Sequence, residues 1–404
     1  MKLKMDLIVV WVFIFFVGVK SFAGPIGLIF QPINYIPTLL MLVLLMKSWL
    51  LGAFTKPAYL LSVLLIIVYY LIGLLNSSFI QATFGLYIFI PFLYCATYNN
   101  YIFKFLTSGK NSFFMFFFIT CGIGVLYVSY FGAPWLGGAV NVGGVDKVLS
   151  RNWTVNGVLR NPGFVGASFD AATLLMICAF FLTYNYRKSK KYIPLVITLI
   201  TALYLIYLTT TKTTIVTLAV VTLFMFIPRL IATAAVKFLF FVIIIFSYIY
   251  MVPEQKYNAY DPSNTLLIRM YYTWPKAAEL LNDSISTIFG KGIGAAGTAA
   301  AYFSPKLYNP GDNVFVYLYI IGGVVSVILI LILFFKFCFS RFHDSQFKKI
   351  YYLFSLCILT GGVTYNVFES AFYSLGFGLI VGGIFNKDIC KLSLRNRTED
   401  YSYK

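Results

Sequence analysis

Long uninterrupted apolar runs are the feature that most limits how this chain can fold. Residues 60–75 and 324–335 contain no charged side chain and are apolar on every face of a helix. A membrane-spanning β-strand would instead alternate apolar and polar residues. Hydrophobic residues make up 60% of the chain and charged residues 11%, whereas a soluble domain carries about 25% charged residues. We therefore predict an all-α polytopic membrane protein, with residues 1–404 forming a single integral membrane domain.

Polar breaks divide the apolar sequence into about twelve predicted helices, since crossing a bilayer takes roughly 20 residues. Their approximate ranges are 7–19, 33–46, 58–75, 79–98, 113–130, 165–184, 192–208, 215–227, 238–250, 314–335, 350–367 and 371–384. The first range follows Lys2 and Lys4, which is also typical of a secretory signal peptide. Lys20 and the apolar sequence after it favour a first helix that is retained.

The basic residues predict the orientation of the chain. A net charge of +18 would suggest nucleic-acid binding in a soluble protein, but here Lys and Arg concentrate in the loops between predicted helices. About two thirds of them fall on the side that holds both chain ends, and cytoplasmic loops carry this excess in membrane proteins. We expect both termini in the cytoplasm and no nucleic-acid partner.

Two longer segments, 131–163 and 251–312, are then predicted to lie outside. None of the six cysteines falls in them, no metal-ligand spacing occurs, and the only histidine, His343, lies in a basic inner loop. We therefore expect no metal, cofactor or disulfide framework. Within the second segment, the spacing of apolar residues over 265–282 predicts an amphipathic helix resting on the membrane. Residues 292–297 fit G-x-G-x-x-G but lack a strand–helix unit, which favours a tight turn over a dinucleotide site.

Some basic residues of the predicted outer loops and turns stand alone in apolar or aromatic surroundings, against the usual charge distribution. They are Arg151, Arg160, Lys212, Arg269 and Lys291. One explanation is an anionic ligand, because the planar arginine fork matches the oxygens of phosphate. The alternative is an exposed loop charge or a contact with lipid phosphates.

Three acidic residues are also candidates. Asp312 closes the second outer segment at a predicted helix start, where it could cap the helix. It could instead hold or deprotonate a hydroxyl group at the membrane surface. Asp170 and Glu369 fall within or at the ends of predicted spans, where ionisable groups are costly and often functional. Either could alternatively pair with an internal basic residue.

The order of several short motifs resembles that of a known family. The motifs are Leu159-Arg160-Asn161-Pro162-Gly163-Phe164, Leu208 to Thr214 at a tight turn, Arg269 with Trp274 and Ala277-Ala278, Gly290-Lys291-Gly292-Ile293-Gly294, Asp312-Asn313-Val314-Phe315 and Gly322-Gly323. In this order the chain resembles the O-antigen polymerase and O-antigen ligase superfamily of bacterial envelope proteins. The motifs cover about residues 159–325.

The resemblance implies a metal-independent, inverting glycosyltransferase of the C-type membrane fold that uses undecaprenyl-diphosphate-linked glycans. Polymerases transfer a growing chain onto a new lipid-linked repeat unit, and ligases transfer it onto lipid A-core. Ligases commonly carry a histidine where this chain has Asp312, which favours the polymerase branch. The tight-turn motif often has Ser-Arg, where this chain has Thr211-Lys212.

The resemblance also suggests roles for the candidate residues. Charge develops on the leaving diphosphate, where fixed cations stabilise it, so Arg160 and Arg269 are the expected catalytic arginines. Asp312 is expected to orient or deprotonate the acceptor hydroxyl. The expected substrate-binding residues are Arg151, Lys212, Lys291, Tyr272, Trp274 and Asn313. Tyr272 and Trp274 would stack on sugar rings or, alternatively, anchor the chain at the membrane interface.

Two other classes of protein compete with this interpretation. A lipid-linked oligosaccharide flippase also has about twelve helices, but transporters often show two similar halves, and we find no such repeat. A scaffold protein would not need arginine and aspartate in its outer segments. The expected location is the bacterial inner membrane, and the expected partners are lipid-linked glycans, membrane lipids and a polysaccharide chain-length regulator.

Overall fold

The structure, a computed structural model, describes residues 5–53, 57–142, 145–155, 157–251, 265–340, 342 and 345–385. The predictions for His343, for residues 252–264 of the second outer segment and for the basic C-terminal tail lie outside these ranges. The described chain is mostly helical, as predicted.

The helices are, in chain order, α1 (Met5–Ser21), α2 (Ala23–Phe30), α3 (Ile36–Ala53), α4 (Pro57–Asn76), α5 (Phe79–Thr97), α6 (Asn99–Thr107), α7 (Asn111–Phe131), α8 (Ser168–Lys188), α9 (Tyr192–Leu208), α10 (Lys212–Phe226), α11 (Arg229–Ile249), α12 (Thr265–Ile268), α13 (Trp274–Ala278), α14 (Ser284–Phe289), α15 (Gly297–Phe303), α16 (Val314–Phe339), α17 (Ser345–Gly362) and α18 (Ala371–Phe385). Each of the twelve predicted ranges overlaps one of these helices. A π-helical turn, Arg269–Thr273, separates α12 from α13.

Six helical segments in the described chain are long and apolar enough to cross a membrane. They are Ala23–Gly52, which runs through α2 and α3, together with α5, α7, α8, α11 and α16. The helices α9, α10 and α18 are apolar but shorter, as is Leu60–Asn76 within α4. The membrane character of the chain follows from these helices.

The helix predicted over 350–367 ends earlier than expected. Helix α17 stops at Gly362, and the chain then turns before α18 begins at Ala371. The side-chain Oδ1 of Asn366 accepts the backbone N–H of Phe368 at 3.2 Å, a local bond that competes with helix continuation. This turn places Tyr365 and Glu369 at the end of the helix bundle.

Helix α18 packs very closely on α5. A Cβ atom added to Gly378 would lie 2.2 Å from the Phe92 carbonyl oxygen, and one added to Gly382 would lie 2.3 Å from that of Ala96. Small residues four positions apart let two helix backbones approach in a membrane protein. This contact fixes the start of α18, and therefore the turn that precedes it.

The first outer segment contains two short antiparallel hairpins, an exception to the all-α prediction. Strands β1 (Ala139–Val142) and β2 (Val145–Val148) form one, and β3 (Thr154–Val155) and β4 (Val158–Leu159) form the other. Trp135 anchors the segment, since its indole N–H donates to the Gly163 carbonyl at 2.9 Å.

The apolar face predicted within 265–282 packs into the protein rather than resting on a membrane surface. Met270, Trp274 and Ala277 are buried in the main hydrophobic core. The Trp274 ring lies 6.0 Å from that of Phe246 in α11, edge to face. The predicted periodicity is therefore present, but the face contacts helices instead of lipid.

The glycine segment, Gly290–Gly294, lies between α4, α5 and α16. Helix α16 is broken at Gly323, where φ is 55°. The Ile320 and Ile321 carbonyls ahead of this break accept the backbone N–H groups of Lys291 and Gly292, each at 2.9 Å. Buried backbone groups must be paired. The glycine segment therefore supplies the hydrogen bonds that these two carbonyls lose where α16 is interrupted.

Candidate functional site

Five separate parts of the chain meet at one end of the bundle and form the candidate site. They are the residues that flank the second hairpin, the α9–α10 turn, the π-helical turn, the turn before α16 and the α17–α18 turn. The side chains they contribute are Arg151, Arg160, Thr211, Arg269, Asp312, Tyr365 and Glu369.

Arg269 and Asp312 form an ion pair at the centre of this site. The Nε of Arg269 donates to Oδ2 of Asp312 at 3.2 Å, and the two side chains are 17% and 34% exposed. The Asn309 side chain donates to the Thr273 carbonyl at 3.1 Å, which fastens the turn before α16 to the π-helical turn. The pair is thus rigidly supported and still reachable from outside.

Asp312 is not the cap of α16. The side-chain oxygen of Asn313 accepts the backbone N–H of Phe315 at 2.8 Å and fills that role. The Asn313 Nδ2 donates to the Ser247 hydroxyl at 2.8 Å, and the residue is fully buried. Asn313, predicted to bind substrate, therefore holds the helix start, while the Asp312 carboxylate faces Arg269.

Arg160 is held near Tyr365 by the second hairpin and by α7. Its backbone N–H donates to the Trp153 carbonyl at 2.7 Å, and the next residue, Asn161, donates to the Val125 carbonyl of α7 at 2.7 Å. The Arg160 Nε is buried and has no hydrogen-bond acceptor among the described residues. A buried donor without a partner is costly, which favours a ligand as its acceptor.

Tyr365 lies between the two arginines. Its ring centroid is 5.9 Å from Cζ of Arg269 and 5.0 Å from the centroid of the stacked Phe169 ring, and its hydroxyl faces Thr211. Burial raises the pKa of Tyr365, and the charges of Arg269 and Arg160 oppose that rise. Sequence reasoning missed Tyr365 because it was predicted to continue a helix.

Arg151 extends the site on the far side of Phe169. Its Cζ lies 4.8 Å from the Trp153 ring centroid and 5.6 Å from the Phe169 centroid. Trp153, Arg151, Phe169, Tyr365 and Arg269 therefore form a continuous row of rings and guanidinium groups. Such cation–π contacts hold an arginine in place while leaving its edge donors free.

Two buried carboxyl groups tie neighbouring elements to the α17–α18 turn. Glu369 Oε1 accepts the backbone N–H of Thr298 at the start of α15. Burial raises the pKa of Glu369 to about 7, against the hydrogen bonds from Thr298 and the positive charge of Arg151. Asp170 in α8 accepts a hydrogen bond from the Ser370 hydroxyl. These bonds position the turn that carries Tyr365.

The two predicted lysines, Lys212 and Lys291, differ in their surroundings. Lys212 begins α10 with an exposed side chain, while the preceding Thr211 is buried and faces Tyr365. Hydrogen bonds from Ser286 lower the pKa of Asp283, and the charge of Lys291 adds to this effect. The Lys291 side chain therefore lies near Asp283.

The two aromatic residues predicted to bind substrate lie apart from the ion pair. Trp274 is fully buried in the core. Tyr272 is 60% exposed, and its hydroxyl accepts a hydrogen bond from Lys276 at 3.4 Å. The structure thus brings together Arg151, Arg160, Arg269 and Asp312, and it places the other predicted residues elsewhere or in structural contacts.

Replacing Tyr365 separates the roles of its ring and its hydroxyl. We expect Tyr365→Leu to reduce binding of the expected anionic ligand about tenfold, because Arg269 loses a cation–π contact worth about 0.5–2 kcal/mol and Phe169 loses its stacking partner. Tyr365→Phe keeps the ring and should retain binding within about threefold. Titration of the purified variants with farnesyl diphosphate measures both effects, and equal losses in the two variants would contradict the ring's role.

No family model matches the chain, and neither a curated protein nor a solved structure matches it.

Proposed function

We propose that this protein is a glycosyltransferase that polymerises undecaprenyl-diphosphate-linked oligosaccharide repeat units into O-antigen or a related surface polysaccharide. The observation that carries the proposal is the meeting of Arg160, Arg269 and Asp312 at one end of a membrane-type helix bundle. The buried Arg160 Nε finds no acceptor in the part of the chain that the structure describes. Two arginines and a carboxylate are the groups that a lipid diphosphate donor and a sugar hydroxyl acceptor would need.

In this reaction the acceptor hydroxyl attacks the anomeric carbon of the donor sugar from the face opposite the diphosphate. The new glycosidic C–O bond forms as the C–O bond to the diphosphate breaks, and its electron pair leaves with the diphosphate. Arg160 and Arg269 stabilise the charge that develops there. Asp312 accepts the hydroxyl proton.

The Arg269–Asp312 pair offers a way to couple donor binding to this proton transfer. In the ion pair, Oδ2 of Asp312 accepts a hydrogen bond from the Nε of Arg269. A diphosphate that competes for Arg269 would draw the guanidinium away from Asp312. The carboxylate would then be free to accept a hydrogen bond from the acceptor hydroxyl once the donor is bound.

The distribution of charge favours a site on the outer face of the inner membrane, with both termini cytoplasmic. The helix ends opposite the site carry Arg187, Lys188, Arg229, Lys336 and Lys349. Such clusters mark the cytoplasmic side of a membrane protein. The site end would then face the compartment where lipid-linked repeat units are joined.

Deletion of the gene followed by complementation tests the proposal. We expect the deletion strain to carry a single repeat unit on its acceptor, and the wild-type chain to restore a ladder of glycan lengths. Loss of even the single unit would point to a flippase or ligase. A normal ladder in the deletion strain would refute the proposal.

A further inference from the structure

Two exposed aromatic rings flank the candidate site, and the proposed chemistry does not use either. Trp153 is 43% exposed and Tyr308 is 46% exposed. Trp153 belongs to the first outer segment, next to the second hairpin, and Tyr308 lies between α15 and α16. Large exposed rings beside a polar cleft differ from Trp274, whose ring is sealed in the core.

Arg151 occupies the space next to the Trp153 ring. Its guanidinium group lies between the rings of Trp153 and Phe169, and its backbone N–H donates to the Gly166 carbonyl at 3.0 Å. An arginine whose guanidinium group is covered by rings keeps its N–H donors along the edges of that group.

Tyr308 is held beside Glu369 and the turn that carries Asp312. The carbonyl of the next residue, Asn309, accepts the backbone N–H of Gly297 at 3.1 Å, and the backbone N–H of Thr298 donates to Glu369. The Asn309 side chain accepts the backbone N–H of Gly311 at 2.9 Å. Burial and the negative charges of Asp312 and Glu369 raise the pKa of Tyr308, and the charge of Arg151 opposes that rise, in agreement with this placement.

We propose that Trp153, Arg151 and Tyr308 form a saccharide-binding subsite that holds the acceptor sugar beside Asp312, an inference that rests on the proposed function. The apolar face of a sugar ring can stack on the exposed indole of Trp153. Its hydroxyl groups can accept hydrogen bonds from the edge donors of Arg151 and bond to the Tyr308 hydroxyl. A ring held there would present a neighbouring hydroxyl group to Asp312.

In this subsite, Trp153 takes the sugar-stacking role expected of Tyr272 and Trp274. Trp274 has no exposed ring face, and Tyr272 contacts Lys276. Trp153 and Tyr308 instead border the arginines and carboxyl groups. The subsite borders the Arg160–Arg269 region, with Phe169 and Tyr365 packed between Arg151 and Arg269.

Binding measurements with two probes test the subsite on the purified full-length protein in lipid nanodiscs. One probe is the oligosaccharide released by mild acid from the host strain's own surface polysaccharide, and the other is farnesyl diphosphate. We expect Trp153→Ala to weaken oligosaccharide binding about tenfold or more, Trp153→Phe to restore most of it, and farnesyl diphosphate binding to stay unchanged. Tyr308→Ala gives a second test if Trp153→Ala fails to fold.

Trp11→Ala is the matched control, because Trp11 is 61% exposed on α1 and lies outside the site. Wild-type oligosaccharide affinity in both Trp153→Ala and Tyr308→Ala would overturn the subsite. Equal losses for Trp11→Ala and Trp153→Ala would also overturn it. If the wild-type protein binds the oligosaccharide but not farnesyl diphosphate, the subsite stands and the proposed function fails.

Discussion

Arg269→Ala and Arg160→Ala should each abolish the glycan ladder while the protein still accumulates in the membrane. Removing one donor that stabilises developing charge typically lowers the reaction rate about 10²–10³-fold. Arg269→Ala also leaves the partly buried Asp312 carboxylate without its cation. Such a rate loss should reduce the surface glycan to one or a few repeat units. Gel analysis of the ladder in the complemented deletion strain measures this effect.

Two further variants make the result specific. Arg269→Lys keeps the positive charge but loses the planar fork, so we expect only partial recovery of chain length. Arg229→Ala removes an exposed arginine at the opposite end of the bundle and should leave the ladder unchanged. Wild-type ladders from both Arg269→Ala and Arg160→Ala would rule out a role for these arginines in holding diphosphate.

The sequence was sufficient to single out the charged residues that the structure brings together in the candidate site. Arg160, Arg269 and Asp312 stand out because charge is rare in this chain and expensive near a membrane. Their positions, 43 to 152 residues apart, carry no information about distance. Only the packing of the hairpin, the π-helical turn and the start of α16 brings them together.

Tyr365 and the exposed rings could not be predicted because their roles depend on tertiary packing. A tyrosine in an apolar run has the same local pattern whether its helix continues or ends. Here the Asn366 turn and the close contact of α18 with α5 end the helix before Tyr365. In the same way, the local sequence does not show that Trp274 is buried and Trp153 exposed. Both tryptophans lie in polar segments that were predicted to lie outside.

The largest effect on folding is expected at the glycine segment. A Cβ atom at Gly290 would lie 2.2 Å from the Ile321 carbonyl oxygen, and one at Gly292 would lie 2.1 Å from the Gly73 backbone nitrogen. Both glycines also have positive φ, 77° and 78°. Positive φ costs a residue with a side chain about 1–2 kcal/mol, and forcing an atom into backbone should add several kcal/mol. We expect Gly290→Ala and Gly292→Ala to prevent stable folding.

Gly109→Ala separates the cost of positive φ from the cost of the steric clash. Gly109 has the same φ of 77° as Gly290, but no atom lies within 4 Å of an added Cβ, so only the backbone term of about 1–2 kcal/mol applies. Two measurements test this: the melting temperature in detergent and the amount of protein in the membrane fraction. We expect Gly109→Ala to lower both slightly and Gly290→Ala to lower both strongly. Equal losses would contradict the close packing of the glycine segment against α16. The comparison also distinguishes folding from chemistry, because Arg269→Ala should lose the ladder and keep a nearly normal melting curve, whereas Gly290→Ala should lose both.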